Sequence, residues 1–162
     1  MAATMTQPHL HRSEPPPSRH APSSADLESH LLAAVREGAV RAAVATGLGA
    51  IAAIHAVDAV GKWTETRYVF WMYVAAIAGA IVVAAGVLFT RSRAALLAAA
   101  GVAGAVLLGY VVDRTVGLPA ATGDIGNWTE PLGLASIVVE SATIAVALGG
   151  FAGRRQARAA IA

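Results

Sequence analysis

The sequence predicts an all-α integral membrane protein, an up-down bundle of four transmembrane helices that follows a disordered N-terminal tail. Its 162 residues are 56% hydrophobic and only 14% charged, with a mean hydropathy of +0.60, which is unlike a soluble domain of this length. The apolar residues form four long segments, whereas most prolines and histidines lie within the first 37 positions. A membrane-embedded part and a polar tail are therefore expected.

The residue counts exclude several classes of function. The chain has no cysteine, and so no disulfide, thiolate metal site, iron–sulfur cluster, CxxC redox motif or cysteine-linked lipid. A net charge of +2 gives no reason to expect nucleic-acid binding. No catalytic triad, phosphate loop or cofactor fingerprint is present, which favours a non-enzymatic protein with no implied cofactor. The predominance of Arg and Ala indicates GC-rich coding and a bacterial source.

Residues 1–24 form the predicted tail. Pro15, Pro16 and Pro17 lie in it, and no apolar run offsets the entropy of ordering the segment. A secretory signal needs an apolar stretch directly after a charged start, and none occurs before residue 39. We therefore expect this polar segment to be retained and to contribute nothing to the core.

Residues 25–38 have the pattern of a short amphipathic helix next to the membrane. Leu27, Leu31 and Val35 share one face, and Ser23 followed three residues later by Asp26 resembles a capping box. Two arrangements are compatible with this pattern. The helix lies on the inner membrane surface, or it continues directly into the first span.

The bundle is predicted over residues 39–151, with spans at about 39–60, 68–90, 94–112 and 132–151 and a basic tail at 152–162. Spans of about 20 residues can cross a hydrocarbon core of ~30 Å. Small residues recur at four-residue spacing, which favours close helix packing at those positions. They are Ala75-Gly79, Gly101-Ala105-Gly109 and Ala145-Gly149-Gly153.

Arginine placement predicts the orientation in the membrane. Seven basic residues flank the spans on one side, namely Arg36, Arg41, Arg91, Arg93, Arg154, Arg155 and Arg158. The other side has three, namely Lys62, Arg67 and Arg114. The side richer in Lys and Arg is normally cytoplasmic, so we expect a multi-pass protein of the bacterial plasma membrane with both termini inside.

Four ionisable residues define a candidate polar cavity. Glu140 lies ~12 Å along the fourth span, near the midplane, and His55 lies ~7.5 Å below the external end of the first. Asp58 shares a helix face with His55, and Asp113 marks the external end of the third span. If these faces point inward, the four side chains line one cavity that is open to the exterior.

Ionisable groups inside a membrane have either structural or functional roles. Glu140 is compatible with a hydrogen-bonded lock between helices, for instance to His55 or Tyr110, and equally with a ligand, proton or cation site. A metal held by His55 and Glu140 is a weaker hypothesis, because their spacing matches no metal motif and the spans contain one histidine.

Aromatic residues concentrate at the external ends of the spans. A belt at the headgroup level explains them, and a belt combined with a binding surface is the alternative. The predicted external rim comprises Trp63, Trp71, Tyr110, Arg114, Trp128 and Glu130. Besides the lipid bilayer, a membrane-protein partner is a candidate to contact it.

Three motifs resemble those of a group of small four-span membrane proteins from actinobacteria and relatives. They are His55-Ala-Val-Asp58, Asp113-Arg-Thr-Val-Gly-Leu-Pro119 and Gly126-Asn-Trp-Thr-Glu-Pro-Leu-Gly133, the last leading into the span with Glu140. The resemblance covers residues 39–151 and carries no activity to transfer. The layout is also loosely similar to DoxX-like proteins.

The sequence therefore leads to two hypotheses about function. The first is an accessory or partner-binding membrane subunit that uses its external loops. The second is binding or transport of a small cation, metal or proton through the cavity of His55, Asp58, Asp113 and Glu140.

Overall fold

A computed structural model describes residues 23–159, which form four helices and no β-strand. The helices are α1 (Ser24–Glu65), α2 (Arg67–Phe89), α3 (Arg93–Thr115) and α4 (Pro131–Ala159). Each is long and apolar enough to cross a membrane. The predicted all-α class with four apolar helices is confirmed.

Helix α1 is a single helix of 42 residues. It contains both the predicted segment 25–38 and the first predicted span, so the amphipathic part runs directly into the span. The predicted capping box is confirmed, because the Ser23 hydroxyl accepts from the Asp26 amide at 3.2 Å and the Asp26 carboxylate accepts from the Ser23 amide at 3.1 Å. Most of the predicted tail, residues 1–22, lies outside the described residues.

The turns between helices are shorter than the hydropathy pattern predicts. Only Thr66, in an extended conformation with φ −148° and ψ 94°, separates α1 from α2. At the opposite end, Ser92 caps α3 by accepting from the Ala94 amide at 3.1 Å. Arg41 of α1 donates to the carbonyls of Val87 and Thr90, which α2 leaves without helical partners at its end.

We call the end of the bundle that carries Thr66 and the connection 116–130 the loop end, and the opposite end the terminus end. Helix α1 packs mainly against α2 and α4, and α3 mainly against α4, whereas α2 and α3 pack against each other less extensively. The buried apolar core occupies the middle and the terminus half of the bundle. Its largest members are Val44, Leu48, Ile51, Val87 and Leu96.

Three glycines mark the closest approaches of helices to their surroundings. A Cβ at Gly47 would lie 2.1 Å from the Thr143 hydroxyl oxygen, one at Gly150 would lie 2.6 Å from Val40 Cγ1, and one at Gly133 would lie 2.7 Å from the Tyr110 ring. The glycines of the predicted small-residue motifs have open space instead. These are Gly79, Gly101, Gly109, Gly149 and Gly153. The prediction of close packing there was wrong, because a small residue permits an approach without deciding which face points inward.

Candidate functional site

A cavity of about 350 Å³ opens among the four helices in the loop half of the bundle. Its volume lies within the range of small-molecule sites, about 300–1,000 Å³. All four helices and the connection 116–130 contribute to its walls. The polar or ionisable lining residues are His55, Asp58, Lys62, Tyr73, Tyr110, Asp113, Arg114, Asp124, Glu130 and Ser136.

Arg114 organises the wall formed by α3 and the connection. Its side chain is only 5% exposed and pairs with Asp124 at 2.9 Å, with Glu130, and with Asp113 at 3.7 Å. Its backbone carbonyl accepts from the amide of Gly126, a residue with φ +79° that glycine adopts readily. The long connection is therefore held against α3 by one buried guanidinium.

Lys62 joins the same network from α1. Its ammonium donates to Glu65 at 3.0 Å and to Asp124 at 3.4 Å. Burial alone would raise the pKa of Asp124, but the hydrogen bond from Arg114 and the charges of Lys62 and Arg114 outweigh it and lower that pKa. Asp124 is thus an ionised link between α1 and α3.

The wall formed by α1 and α2 carries the two predicted residues of the first span. The Tyr73 hydroxyl donates to Asp58 at 2.7 Å, and the His55 ring meets the Tyr73 ring edge to face at 5.0 Å. His55 Nδ1 lies 2.9 Å from the Ile51 carbonyl, which can only accept, so Nδ1 carries a proton. Nε2 is therefore the ring nitrogen left for other interactions.

The cavity has an excess of acidic groups. Four carboxylates line it, from Asp58, Asp113, Asp124 and Glu130, against the two cationic side chains of Lys62 and Arg114. Both cations already pair with carboxylates, although the buried Arg114 Nε has no hydrogen-bond partner among the described residues, and the hydrogen bond of Asp58 is to the Tyr73 hydroxyl. Asp113 has the 3.7 Å ion pair with Arg114, and the charge of Lys62 also acts on both Asp58 and Asp113. The four carboxylates on the lining still outnumber its two cations.

Glu140 lies outside the cavity lining, although Ser136, one turn earlier on α4, belongs to it. The Glu140 side chain is fully buried and accepts from the Ser136 hydroxyl at 2.5 Å. Its second carboxyl oxygen has no hydrogen-bond partner among the described residues. The structure thus brings His55, Asp58 and Asp113 to one cavity and places Glu140 behind Ser136, without a hydrogen bond to His55 or Tyr110.

Residues 23–159 contain no group of three or more His, Cys, Asp or Glu side chains that could hold a metal ion. His55 contacts a backbone carbonyl, and Glu140 contacts a hydroxyl of its own helix. The geometry gives no support to the proposed metal pair.

The predicted aromatic rim consists of two separate groups. In one, Trp63 and Trp71 flank Phe70 edge to face, and the Arg67 guanidinium lies 4.9 Å from the Trp63 ring centre. In the other, the rings of Tyr110 and Trp128 meet edge to face, with their centres 6.0 Å apart. Trp63, Trp71 and Trp128 are 46%, 57% and 40% exposed. Arg114 and Glu130, predicted for the same rim, form the ion network, and the Arg114 guanidinium also lies 5.0 Å from the Tyr110 ring centre.

Sequence reasoning missed Tyr73 and Ser136 as lining residues and the bond from Lys62 to Asp124. Tyr73 had a readable signal, because Asp58 and Tyr73 lie at nearly equal distances from the turn at Thr66 and antiparallel helices place such residues side by side. Ser136 also had a readable signal, because it lies four residues, or about one turn, before the ionisable Glu140 of the same span. Nothing in the sequence indicated how far the connection folds back toward Lys62.

Comparison with protein-family models, curated proteins and solved structures finds no match to this chain. The four apolar helices of residues 23–159 define its class as a multi-pass integral membrane protein.

Proposed function

We propose that the protein binds a small cation in the cavity, entering from the loop end. The observation that carries this proposal is the excess of carboxylates on the lining of a space enclosed by apolar helices. Charge–charge interactions are stronger there than in water because the surrounding dielectric constant is lower. A cation removes the cost of keeping Asp58 and Asp113 charged in such a place.

The existing ion pairs favour a cation over an anion as the ligand. Arg114 pairs with three carboxylates, and Lys62 with two, so both positive charges are already neutralised by the protein, although Arg114 Nε has no hydrogen-bond partner among the described residues. Asp58 and Asp113 come from different helices and have one partner each. They supply acceptor oxygens from two walls, which suits a positively charged donor between them.

The proposal includes an orientation in the bacterial plasma membrane, with the loop end outside and both termini in the cytoplasm. The bias of Lys and Arg toward the terminus end supports it. The chain has no native cysteine, so Thr122→Cys and Glu28→Cys are clean probes of the two ends. We expect an impermeant thiol reagent to label Thr122→Cys in intact cells and Glu28→Cys only after lysis; the reverse pattern refutes this orientation.

Cation binding is tested with purified protein in lipid nanodiscs. The melting temperature is measured against rising concentrations of Na⁺, K⁺ and methylammonium, because a ligand of the folded state stabilises it by mass action. We expect at least one cation to raise it saturably. Asp58→Asn and Asp113→Asn should each weaken that effect at least tenfold.

Glu28→Gln is the matched control. It removes one carboxylate from the exposed start of α1, far from the cavity, and should leave the response to cations unchanged. A response that is the same in wild type, Asp58→Asn and Asp113→Asn reflects ionic strength alone and contradicts the proposal.

A partner-binding role is a second candidate. The exposed Trp63 and Trp71, which flank the half-buried Phe70, favour it. A variant that keeps Trp71 alone, Trp63→Phe with Trp128→Phe, reports on this surface. A protein partner predicts weaker quenching of Trp71 fluorescence by acrylamide and by brominated lipids in native membranes than in nanodiscs. Equal quenching in the two preparations identifies an aromatic belt.

A further inference from the structure

Part of the cavity lining is apolar, and a simple inorganic cation would leave the space beside it empty. We call this space the apolar compartment. Its walls are formed by small residues on facing sides of α2 and α3, among them Ala75, Gly79, Ala105 and Gly109. A Cβ at Gly79 or Gly109 would meet no atom within 4 Å. The compartment therefore exists because side chains are missing from both walls.

This compartment lies deeper in the membrane than the carboxylates. Along α3, the lining runs from Asp113 through Tyr110 and Val106 to Val102, a drop of about 16 Å at 1.5 Å per residue. Along α2, it runs from Tyr73 to Gly79. The part of the cavity that carries Asp58 and Asp113, here called the polar mouth, and the apolar compartment thus follow each other along the membrane normal.

The compartment also reaches the outer surface of the bundle. Met72, Ala75 and Ala105 line it and are themselves exposed, on two neighbouring helices that pack against each other less extensively than α1 and α2 or α3 and α4 do. In a bilayer, the surface at this depth faces hydrocarbon. An apolar group therefore has a favourable environment both inside the compartment and at its side opening.

At the junction of the two parts, the hydroxyl oxygen of Tyr110 is buried and has no hydrogen-bond partner within residues 23–159. A buried polar atom without a partner costs free energy, about 1–3 kcal/mol. A phenol oxygen accepts a hydrogen bond from an ammonium group. The Tyr110 ring also lies beside the Arg114 guanidinium, whose carbon is 5.0 Å from the ring centre, and its hydroxyl oxygen packs toward Gly133 of α4. The carboxylates of Asp58 and Asp113 therefore remain the acceptors on which the binding of an ammonium group rests.

We propose that the cavity binds an amphipathic organic amine, with its ammonium head between Asp58 and Asp113 and its apolar body between α2 and α3. This inference rests on the proposed binding of a cation and specifies its chemical class. The ammonium matches the acidic mouth, and the body matches the compartment of small residues in polarity, depth and position.

The test compares methylammonium with 2-phenylethylammonium, which adds an apolar body to a similar head. Both are titrated calorimetrically into the protein in nanodiscs, and the heat measured with empty nanodiscs is subtracted. We expect 2-phenylethylammonium to bind at least tenfold more tightly. Asp58→Asn should weaken both amines, and the neutral 2-phenylethanol should bind at least tenfold more weakly than 2-phenylethylammonium.

Gly79→Leu fills the compartment without touching the carboxylates. We expect it to abolish the preference for 2-phenylethylammonium and to leave methylammonium binding unchanged. Gly49→Leu is the matched control, because Gly49 also has open space beside it but lies outside the cavity. If Gly79→Leu fails to fold, as judged by its melting curve, Ala105→Leu fills the same space from α3.

Each result separates this inference from the proposed function. Equal affinity for the two amines, or a preference that survives filling of the compartment, overturns the inference and leaves cation binding intact. Binding of neither amine, with no response to Na⁺ or K⁺, overturns both. Equal binding of 2-phenylethanol and 2-phenylethylammonium also overturns both, because charge is then not recognised.

Discussion

The two halves of the bundle are built from the same Ala-, Gly- and Val-rich helices but are filled differently. In the terminus half, apolar side chains such as Leu48, Val87 and Leu96 fill the space between helices and are buried almost completely. In the loop half, small residues face one another across a cavity lined by carboxylates. Composition thus decides that the helices enter a membrane, and the placement of a few large or charged side chains decides whether the space between them is closed.

The halves also differ in how they satisfy polar groups. At the terminus end, Arg41 donates to Glu37 and to the carbonyls at the end of α2, and its Nη2 alone is buried without a partner among the described residues. In the loop half, Asp58 and Asp113 retain unused acceptor capacity, although ionised side chains within a transmembrane segment are costly. The closed core of the terminus half therefore stabilises the fold, whereas the costly charged groups of the loop half are placed for binding.

Removal of Arg114 should have the largest effect on the loop half. Arg114→Gln leaves Glu130 without a counter-charge and Asp124 with Lys62 alone. Removing one partner of a fully buried pair costs about 3–5 kcal/mol, and because both carboxylates are about one-third exposed, we expect a smaller loss of about 2–3 kcal/mol in the free energy of unfolding. Hydrogen exchange should show the connection 116–130 opening while the core around Leu48 stays protected. Equal loss of protection in both halves would show that they are not separate.

The terminus half and the middle are tested by overpacking. Gly47→Ala places a Cβ against the Thr143 hydroxyl, and we expect it to lower the free energy of unfolding by about 1–2 kcal/mol. Gly49→Ala, two residues away with open space, should be neutral or slightly stabilising. Similar melting temperatures for the two variants would contradict the close contact between α1 and α4.

Coupling between buried polar groups shows which of them form one unit. Ser136→Ala removes the donor and Glu140→Leu removes the acceptor of one hydrogen bond, so their effects on unfolding should deviate from additivity by about 1 kcal/mol. His55→Ala and Glu140→Gln share no partner and should add within about 0.5 kcal/mol. Strong coupling of the second pair would instead join Glu140 to the cavity.

Acid pH gives the smallest effect, confined to the loop half. Because the folded state lowers the pKa of Asp124 below its usual 3.8, its contribution is complete above about pH 4 and disappears as pH falls through the lowered value. Wild type should therefore lose stability below about pH 4 more steeply than Asp124→Asn. Parallel melting curves of the two proteins against pH would show that the Asp124 link contributes nothing.

Hydropathy predicted the four helices because a segment that crosses hydrocarbon must be apolar over about 20 residues and must satisfy its backbone hydrogen bonds as a helix. Long apolar segments of this kind are easily recognised in a sequence. Hydropathy placed the end of the first span near residue 60, whereas α1 continues to Glu65. The helix continues beyond the apolar stretch because an ion pair between Lys62 and Glu65, one turn apart, stabilises its last turn outside the hydrocarbon. Helix ends in water are set by such local contacts and not by hydropathy.

The candidate site was predictable where chain position alone fixes depth. His55, Asp58 and Asp113 lie near the loop end of their helices, and this depth suffices to bring them to one cavity. Glu140 required knowledge of the inward face, and helices that are apolar on all sides do not provide it. The Gly79 and Gly109 motifs were misread for the same reason, since they border space and not a neighbouring helix.

The unbroken length of α1 has a mechanical consequence. A helix of 42 residues is about 63 Å long at about 1.5 Å per residue, and one continuous helix therefore carries the cavity residues Asp58 and Lys62 at one end and the exposed Leu27 and Leu31 at the other. A tilt of about 5° around its midpoint displaces each end by about 3 Å, in opposite directions. Any widening of the cavity by such a tilt is thus transmitted across the full thickness of the bilayer as a lateral swing of its amphipathic tip.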